Sequence, residues 1–532
     1  MTVATKGESA PLPPNPVDWP TGRKFLIFGI LAFGQFMALL DIQIVAASLN
    51  DVQAGLSAGP DEVSWVQTAY LMAELVMIPF SAFMAQAMST RWLFATSAGL
   101  FTLSSIACGL AWNIESMSAF RAIQGFVGGA MVPSVFAVGF TLFQGKQRAL
   151  IPAILGMVSV LAPTLGPTVG GVITDAMDWR WIFFVNVPPG IAVTILTIVF
   201  VKIDSANPAM FGRIDWSHLI AMAVALGGLE YVLEEGPRKD WFGDPYVLTS
   251  AWLSLVAFAL FIERSIFSKN PIVRLMPFRN PTFAFACLFN IVIGFGMYAS
   301  TYLLPVYLGR FRNFDSLQIG TTVFVVGAGQ LASTVISARL SQVVDPRIMI
   351  TVGLTGFAGS LWMTSFLGSD WGFGQLLLPQ VVRGLFVMLC IVPSVNMALS
   401  GFQGPELRSA SGLFNLMRNL GGAIGIATVN TWLQDNARIQ ALRFGEALAH
   451  SGQTARDLTA GLTRQLLTIT PDPDRALLMA QGVLSHVIGR EALTIAFNDV
   501  FRLMSWMFFA ALVMVPFCRP SRGPPPSPAD SH

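Results

Sequence analysis

The chain has 532 residues, of which 54% are hydrophobic and only 12% are charged, whereas soluble domains carry about 25% charged residues. Its 32 lysines and arginines and 30 aspartates and glutamates leave a net charge of +2. No strong basic field therefore indicates a nucleic-acid partner. A chain this apolar needs a lipid environment, and the composition excludes an ordinary soluble domain.

Apolar stretches of about 20 residues, the length that spans a bilayer, recur along the chain. They predict an all-α integral membrane protein with about 14 transmembrane helices. The predicted spans are 25–47, 65–86, 92–112, 117–143, 150–173, 181–201, 216–233, 246–262, 282–308, 319–338, 348–367, 376–399, 411–432 and 501–517. The first span is too long for a signal-peptide core, so we expect it to be retained.

Lysine and arginine are distributed unequally between the two sides of this arrangement. With the N-terminus inside, the inside segments hold seventeen of these residues and the short outside loops hold five. Because positive charge favours the cytoplasmic side, the bias predicts that both termini are cytoplasmic.

Two sequence runs occur twice and indicate an internal repeat. Arg121-Ala-Ile-Gln124-Gly125 matches Gln380-Val-Val-Arg383-Gly384 with the polar residues exchanged, and the run 165–170 matches 420–425. Paired halves are typical of transporters that rock around a midplane site. The repeat also argues against an open channel.

The repeat and the spans divide the chain into five parts. They are a cytoplasmic tail 1–24, an N-terminal six-helix bundle 25–201, a linker 202–281 with two extra helices, a C-terminal six-helix bundle 282–518, and a cytoplasmic tail 519–532. Within the C-terminal bundle, 434–500 is too polar to span. Leu458, Leu462, Leu466 and Ile469 recur there at helical spacing, which predicts an amphipathic helical hairpin on the outer side.

Ionisable side chains within the spans cost several kcal/mol unless they are paired or hydrated. Asp41 is either a proton carrier or a structural hydrogen-bond acceptor, and Glu74 either faces a cavity, where it loads a proton or meets a cationic drug, or forms a buried ion pair. Arg121 either shifts the proton affinity of one of these carboxylates or braces two helices. Arg383 and Arg418 are the remaining intramembrane charges in this set.

A small-residue face in the fifth span combines Gly166, Gly170 and Gly171 with Pro167. Glycine allows helices to approach closely, and proline permits bending. The face therefore indicates either ordinary tight packing or a bending gate that also blocks leakage.

Aromatic side chains in the spans are candidates for a central substrate site. Tyrosine combines an apolar ring with a polar tip, and flexible, polarizable side chains suit a site that accepts many shapes. The candidates are Tyr70, Phe295, Tyr298 and Tyr302.

No constellation of residues indicates an enzyme. The four cysteines are far apart, the four histidines lie in loops or at span edges, and neither set has metal-ligand spacing. The glycine-rich runs lack the lysine and the serine or threonine of a phosphate-binding loop. Uphill transport would therefore draw on an ion gradient, with no cofactor.

Several runs together resemble a known family, the fourteen-span drug:proton antiporters of the major facilitator superfamily, EmrB/QacA type. The resemblance covers nearly the whole chain. It is carried by Leu40-Asp41-Ile42-Gln43-Ile44-Val45, by Arg121-Ala-Ile-Gln124-Gly125, by Gly166-Pro167-Thr-Val-Gly170-Gly171, and by the run from Trp179-Arg180-Trp181 to Asn186-Val-Pro188-Pro-Gly190.

The resemblance implies a major facilitator fold, two six-helix bundles plus two extra helices, and proton-coupled export of amphiphilic small molecules. It assigns antiport to Gly166–Gly171 and proton coupling to Arg121, whose motif includes Gln124 and Gly125. The outer segment ending at Ala496-Phe497-Asn498-Asp499 is similar to relatives that pair with a periplasmic adaptor and an outer-membrane channel. A location in the bacterial inner membrane follows from that similarity.

The loop after the second span departs from the family pattern. The family usually has a glycine and an aspartate there, but only Arg91 keeps the expected character. We therefore expect gating to depend on the arginines Arg91, Arg339 and Arg347 instead. Arg383 and Arg418 are further gating candidates within the spans. Two other functions stay open: an importer or dedicated exporter of one metabolite, such as an aromatic acid, and a membrane sensor without flux.

Overall fold

The computed structural model describes residues 19–144, 147–148, 150–268, 271–312, 314, 316–368, 370–450, 453–470 and 472–517. Fourteen long helices, numbered α1 to α14, account for most of this part of the chain. Their bounds are Thr21–Ala47, Trp65–Met88, Thr90–Gly109, Ile114–Leu142, Leu150–Ala176, Trp181–Phe200, Trp216–Glu235, Pro245–Phe267, Pro281–Arg312, Ser316–Leu340, Pro346–Thr364, Phe373–Leu399, Gly404–His450 and Pro473–Ala511.

Twelve of these helical segments are long and apolar enough to cross a membrane, counted over the described residues. The other two, α11 and α13, have more polar sequences. Both nevertheless pack along helices that meet the criterion, α11 against α12 and α13 against α9. The prediction of an all-α membrane protein with about fourteen helices is confirmed.

Two of the helices, α4 and α6, are interrupted by short stretches that are not regular α-helix. Regular α-helix in α4 stops at Gly128 and resumes at Met131, just before Pro133. In α6 it stops at Phe184 and resumes at Val187, which precedes Pro188 and Pro189. Proline has no backbone N–H to donate within a helix, and it accompanies both interruptions.

The internal repeat reappears as two equivalent helix contacts. A Cβ atom on Gly125 of α4 would lie 2.2 Å from the carbonyl oxygen of Tyr70 in α2. A Cβ atom on Gly384 of α12 would lie 2.4 Å from the carbonyl oxygen of Val326 in α10. Glycine is required at both places because backbone meets backbone, so the two halves share one packing scheme.

The two extra helices, α7 and α8, pack against each other, and α7 also packs against α2. Asp215 caps α7 and accepts hydrogen bonds from Ser217 at 2.6 Å and from Ser268, after α8, at 2.8 Å. The hydrogen bond from Ser217, with that from Ser268, lowers the pKa of Asp215 to about 2. At the other end of α7, Glu235 accepts a hydrogen bond from Ser64 at 3.3 Å.

The two six-helix halves are tied together at the end predicted to be cytoplasmic. Arg408 at the start of α13 forms an ion pair with Asp204, which follows α6. Arg148 donates to the carbonyl oxygen of Leu399 at 3.0 Å, and Ser411 donates to that of Pro133 at 3.0 Å. This end of the interface is therefore closed.

The outer segment 434–500 is largely helical, as predicted, but its long helices are continuous with the neighbouring spans instead of forming a hairpin of their own. Helix α13 continues to His450, and α14 begins at Pro473. A short helix, Gln453–Leu466, lies between them, packs against α14, and contains Leu458, Leu462 and Leu466. Ile469 lies in the following turn and is 73% exposed. The segment thus consists mainly of extensions of the two last spans.

Some predictions fall outside the described residues. They concern most of the N-terminal tail 1–24, Cys518 and the tail 519–532. The backbone of Pro167 belongs to α5, but its side chain is also outside the description. The division of the chain into five parts stays a prediction.

Candidate transport site

A buried ion pair joins α1 to α4. The guanidinium of Arg121 donates from Nη1 to Asp41 Oδ2 at 2.7 Å, and both side chains are fully buried. Arg121 Nε also donates to the carbonyl oxygen of Val66 at 3.0 Å. Arg121 therefore pairs with Asp41 rather than with Glu74, and it holds three helices together.

The other oxygen of Asp41 accepts hydrogen bonds from two amides. Asn186 Nδ2 donates at 2.6 Å and Gln124 Nε2 donates at 3.2 Å to Oδ1. Both amides also donate to Ser105 Oγ. Asn186 lies at the interruption of α6 and was not among our predicted site residues, although it belongs to one of the runs that carried the family resemblance.

Tyr70 belongs to this buried network rather than to a substrate site. Its ring lies 4.2 Å from the guanidinium carbon of Arg121, a cation–π contact, and its side chain is fully buried. Gly125 packs against its backbone. Tyr70 does not line the central cavity, so the structure does not support its prediction as a substrate contact.

A cavity of about 270 Å³ lies between the two halves. Its walls come from both bundles and from α7, and they are mainly apolar. The lining positions lie in the middle of the spans and toward the end predicted to face outside, beyond the closed contacts of Arg408 and Arg148. The cavity is the feature of the described chain that is suited to hold a small molecule.

Glu74 of α2 lines this cavity. Of the two alternatives given for this residue, a position facing a cavity is the one found. It is 7% exposed, and its charge interacts with those of Arg121 and Arg418. Two further carboxylates, Glu230 and Glu234 of α7, also line the cavity. Neither residue was among the predicted site residues. Their spacing of four residues, which places both on one face of a helix, is the signal in the sequence that indicates the pair.

The C-terminal half supplies two guanidinium groups to the same cavity. Arg383 of α12 and Arg418 of α13 line it, and Arg418 donates to Asn415 at 2.9 Å. They are 6% exposed each. The exchange of polar residues within the repeat thus has a structural counterpart: Arg121 is buried in an ion pair, whereas Arg383 faces the cavity.

Two of the predicted aromatic contacts are found in the cavity wall. Tyr298 and Tyr302 line it, and the Tyr298 hydroxyl donates to Asn419 at 3.4 Å. Phe295 is 5% exposed and packs in the hydrophobic core, where its backbone faces Gly425. The structure therefore does not support Phe295 as a substrate contact.

The glycine face of α5 lies against α1. A Cβ atom on Gly166 would lie 2.3 Å from Gln43 Cβ, and one on Gly170 would lie 3.1 Å from the Ile44 carbonyl oxygen. The carbonyl oxygen of Gly171 accepts a hydrogen bond from Thr174 at 3.1 Å. Close helix packing at the motif is therefore present, and a bending role stays a prediction.

Within the described part of the chain, Arg91 does not form the link between the halves that its predicted gating role suggests. It lies over the neighbouring Trp92 ring at 5.3 Å, and its Nε has no hydrogen-bond partner among the described residues. The adjacent Thr90 instead donates to Asp204, the partner of Arg408. The acidic residue of this contact comes from the segment after α6, where sequence reasoning did not look for it.

Comparison with known proteins identifies the family. The profile of the Major Facilitator Superfamily matches residues 31–426. The chain belongs to the Major Facilitator Superfamily. Membership of this superfamily confirms that the protein is a multi-pass membrane transporter and not an enzyme.

Relatives within the superfamily match over nearly their whole length. The chain is 36% identical to the colistin resistance protein EmrB of Acinetobacter baumannii, over 94% of this chain and 98% of that protein. It is 28% identical to the fatty acid resistance protein FarB of Neisseria gonorrhoeae, over 92% and 95%. It is 26% identical to the multidrug export protein EmrB of Escherichia coli, over 94% and 97%.

A solved structure shares the superfamily fold. The crystal structure of the human organic anion transporter MFSD10 (TETRAN) matches with a TM-score of 0.57, over 92% of this chain and 100% of that one. The sequences are 12% identical. This likeness supports the fold alone.

Proposed function

We propose that the protein exports amphiphilic small molecules from the cytoplasm in exchange for protons. The observation that carries the proposal is the position of Glu74, which lines the cavity between the two halves and lies within electrostatic reach of Arg121 and Arg418. A carboxylate at this position can bind a proton or a cationic substrate group, which is the exchange that antiport requires. Relatives named as multidrug export proteins support the same function.

Glu74 and Asp41 have different roles in this proposal. Glu74 is the loading group because it lines the cavity. Asp41 is fully buried. Its Oδ2 accepts a hydrogen bond from Arg121, and its Oδ1 accepts hydrogen bonds from Asn186 and Gln124. Since Arg121 interacts electrostatically with Glu74, a change in the Asp41–Arg121 pair would alter the affinity of Glu74 for a proton, and Arg121 then tunes the coupling.

The halves supply the alternating access. The cavity is lined from both halves and closed on the side of Arg408 and Arg148. Rocking of the halves would expose it to the opposite side, which is the usual motion of transporters with repeated halves. Close packing at Gly166 and Gly170 would hold α1 and α5 of the N-terminal half together during this motion.

The proposal includes a location and partners. We place the protein in a bacterial inner membrane with both termini cytoplasmic, on the lysine and arginine bias. We further propose that 434–500 docks a periplasmic membrane-fusion adaptor, which connects to an outer-membrane channel. Apolar side chains are exposed on this segment, for example Leu442 at 61% and Leu478 at 68%. Exposed apolar surface of this kind is what a docked adaptor would cover.

Transport in proteoliposomes tests the proposal. An imposed proton gradient should drive accumulation of a fluorescent amphiphile such as ethidium, and Glu74→Gln should abolish accumulation because the neutral amide cannot carry a proton. Glu115→Gln, at an exposed position near the start of α4, is the matched control and should transport like the parent. Uphill transport by Glu74→Gln at the parental rate, sensitive to a protonophore, would place the coupling group elsewhere.

A further inference from the structure

Helix α7, which lies outside the two six-helix bundles, contributes two carboxylates to the central cavity. Glu230 and Glu234 are one helical turn apart, and both line the cavity together with Glu74 of α2. The charge of Glu230 interacts with those of Glu234 and Glu74. Carboxylates at membrane depth are costly, so a helix that only filled space beside the bundle would not be expected to carry two of them here.

Glu230 is short of a cationic partner. Its side chain is 5% exposed, and its Oε2 atom has no hydrogen-bond partner among the described residues. The charged groups that act on it are the other two carboxylates. Glu235, the next carboxylate on the helix, differs: it pairs with Lys239 at 3.3 Å and Arg238 at 3.7 Å outside the cavity. The charge of Glu230 would therefore be balanced either by a bound proton or by the cationic group of a ligand.

The cavity walls indicate which kind of cation would fit. Leu71, Leu75 and Met297 supply apolar surface, and the rings of Tyr298 and Tyr302 line the same space. Apolar and aromatic walls suit an organic cation, whose charge is attracted to ring faces as well as to carboxylates. Among the described residues, no three acidic, histidine or cysteine side chains are placed to hold a metal ion, which disfavours a bare metal.

A second unpartnered acceptor lies on another wall of the cavity. Gln330 of α10 is 5% exposed, and its Oε1 has no hydrogen-bond partner within the described chain. The guanidinium groups of Arg383 and Arg418 come from the C-terminal half. Negative charge is thus contributed by α2 and α7, and positive charge by α12 and α13, so an amphiphile with one charged end would bind in a defined orientation.

We propose that Glu230 and Glu234 of α7, together with Glu74, bind the cationic group of an amphiphilic substrate. The accessory helix thereby determines the charge specificity of the transporter. The inference rests on the proposed export function, because it concerns the substrate of that transporter. Binding of the substrate does not require a proton gradient and can be measured separately.

Two ions of the same shape and opposite charge test the proposal. Equilibrium binding of tetraphenylphosphonium and tetraphenylborate is measured on the purified full-length protein in a neutral detergent. Glu230→Gln and Glu234→Gln should each weaken binding of the phosphonium cation by about tenfold, because a charge pair at close range is lost. Binding of the borate anion should stay unchanged or become tighter. Glu235→Gln, on the same helix but outside the cavity, is the control and should change neither affinity.

Three outcomes would overturn the proposal. They are unchanged affinity for the cation in both cavity variants, an equal loss of affinity for both ions, and failure of the parent protein to bind the cation. An equal loss would mean that the carboxylates only maintain the cavity. If the parent binds the cation selectively but shows no gradient-driven transport, the proposed function fails while the cation site stands.

Discussion

Arg408 Nη1 lies 2.6 Å from Asp204 Oδ2, and this ion pair connects the start of α13 to the segment that follows α6. Asp204 also accepts hydrogen bonds from the backbone N and the hydroxyl of Thr90. The side chains are 23% and 18% exposed, so the pair is partly shielded from water. It links the two halves on the side where the cavity is closed.

Asp204→Asn should loosen this closed end. Loss of a partly exposed pair costs about 1 kcal/mol, which corresponds to a shift of roughly fivefold in the equilibrium between closed and open states. A cysteine introduced at Ser134, which is 5% exposed beside this contact, should react faster with a soluble maleimide. The charge-exchanged variant Asp204→Arg/Arg408→Asp should restore slow labelling, and equal rates in all three proteins would contradict the link.

Gly125→Ala and Gly384→Ala should both destabilise the protein. The added Cβ atoms would lie 2.2 Å from the Tyr70 oxygen and 2.4 Å from the Val326 oxygen, and moving backbone apart typically costs about 1–3 kcal/mol. Thermal unfolding in detergent should show a lower midpoint for both. Gly359→Ala is the control, since no atom lies within 4 Å of its added Cβ. An unchanged unfolding midpoint for Gly384→Ala would contradict the conclusion that the two halves share the same close helix contact.

Variants of the Asp41–Arg121 pair should show whether Arg121 only braces the helices or also takes part in proton coupling. Asp41→Asn or Arg121→Gln leaves one buried charge unpaired, which costs about 3–5 kcal/mol, so each should lower the unfolding midpoint. The double variant removes both charges and should recover much of that stability. We expect it to bind substrate without accumulating it against a gradient. Parental transport by the stable double variant would mean that Arg121 is only a brace.

Cysteine labelling from outside tests the orientation. Arg456→Cys, exposed on the short outer helix, should react with a membrane-impermeant maleimide, whereas Glu263→Cys, exposed near the end of α8, should not. Cys108, Cys287 and Cys390 are buried, and Cys518 is replaced by serine in the background used. The reverse labelling pattern would invert the topology and the proposed direction of export.

Substitutions on the outer segment test the adaptor. Leu442→Ser and Leu478→Ser remove exposed apolar side chains and should reduce cross-linking to a co-expressed periplasmic adaptor. Arg475→Ser, also exposed on α14, is the polar control. A larger change, deletion of 440–490, should abolish cross-linking in a correctly inserted protein. Intact cross-linking after that deletion would favour the alternative that this segment is a self-contained cap over the transporter.

The spans and five of the intramembrane charges could be predicted from the sequence, because bilayer burial leaves a strong signal in composition. It could not choose between Asp41 and Glu74 as the partner of Arg121, since both lie in neighbouring spans. The rotation of each helix about its axis makes that choice. The same rotation buries Tyr70 and Phe295. Their burial could not be predicted, because hydropathy does not distinguish a core face from a cavity face in a helix that is apolar on all sides.

Charged residues near the ends of spans were the other source of error. Glu234 begins the charged stretch that ends at Asp244, so the sequence indicated a solvated flank where the structure has a cavity wall. Glu230 lies inside the predicted span 216–233 but was not included among the intramembrane charges. Likewise, the polar composition of 434–500 indicated that the two last spans end at the bilayer and that a helical hairpin lies between them. Polar residues are compatible with helix once a span has left the bilayer, and α13 and α14 therefore continue without a break.

The continuity of α13 has a mechanical consequence. Its 47 residues correspond to about 70 Å of helix, roughly twice the thickness of the hydrocarbon core. A continuous helix transmits a tilt along its length, so a small rotation of the C-terminal half within the membrane becomes a larger sideways displacement at His450. Whatever rests on the outer end of α13 would therefore move in step with each transport cycle.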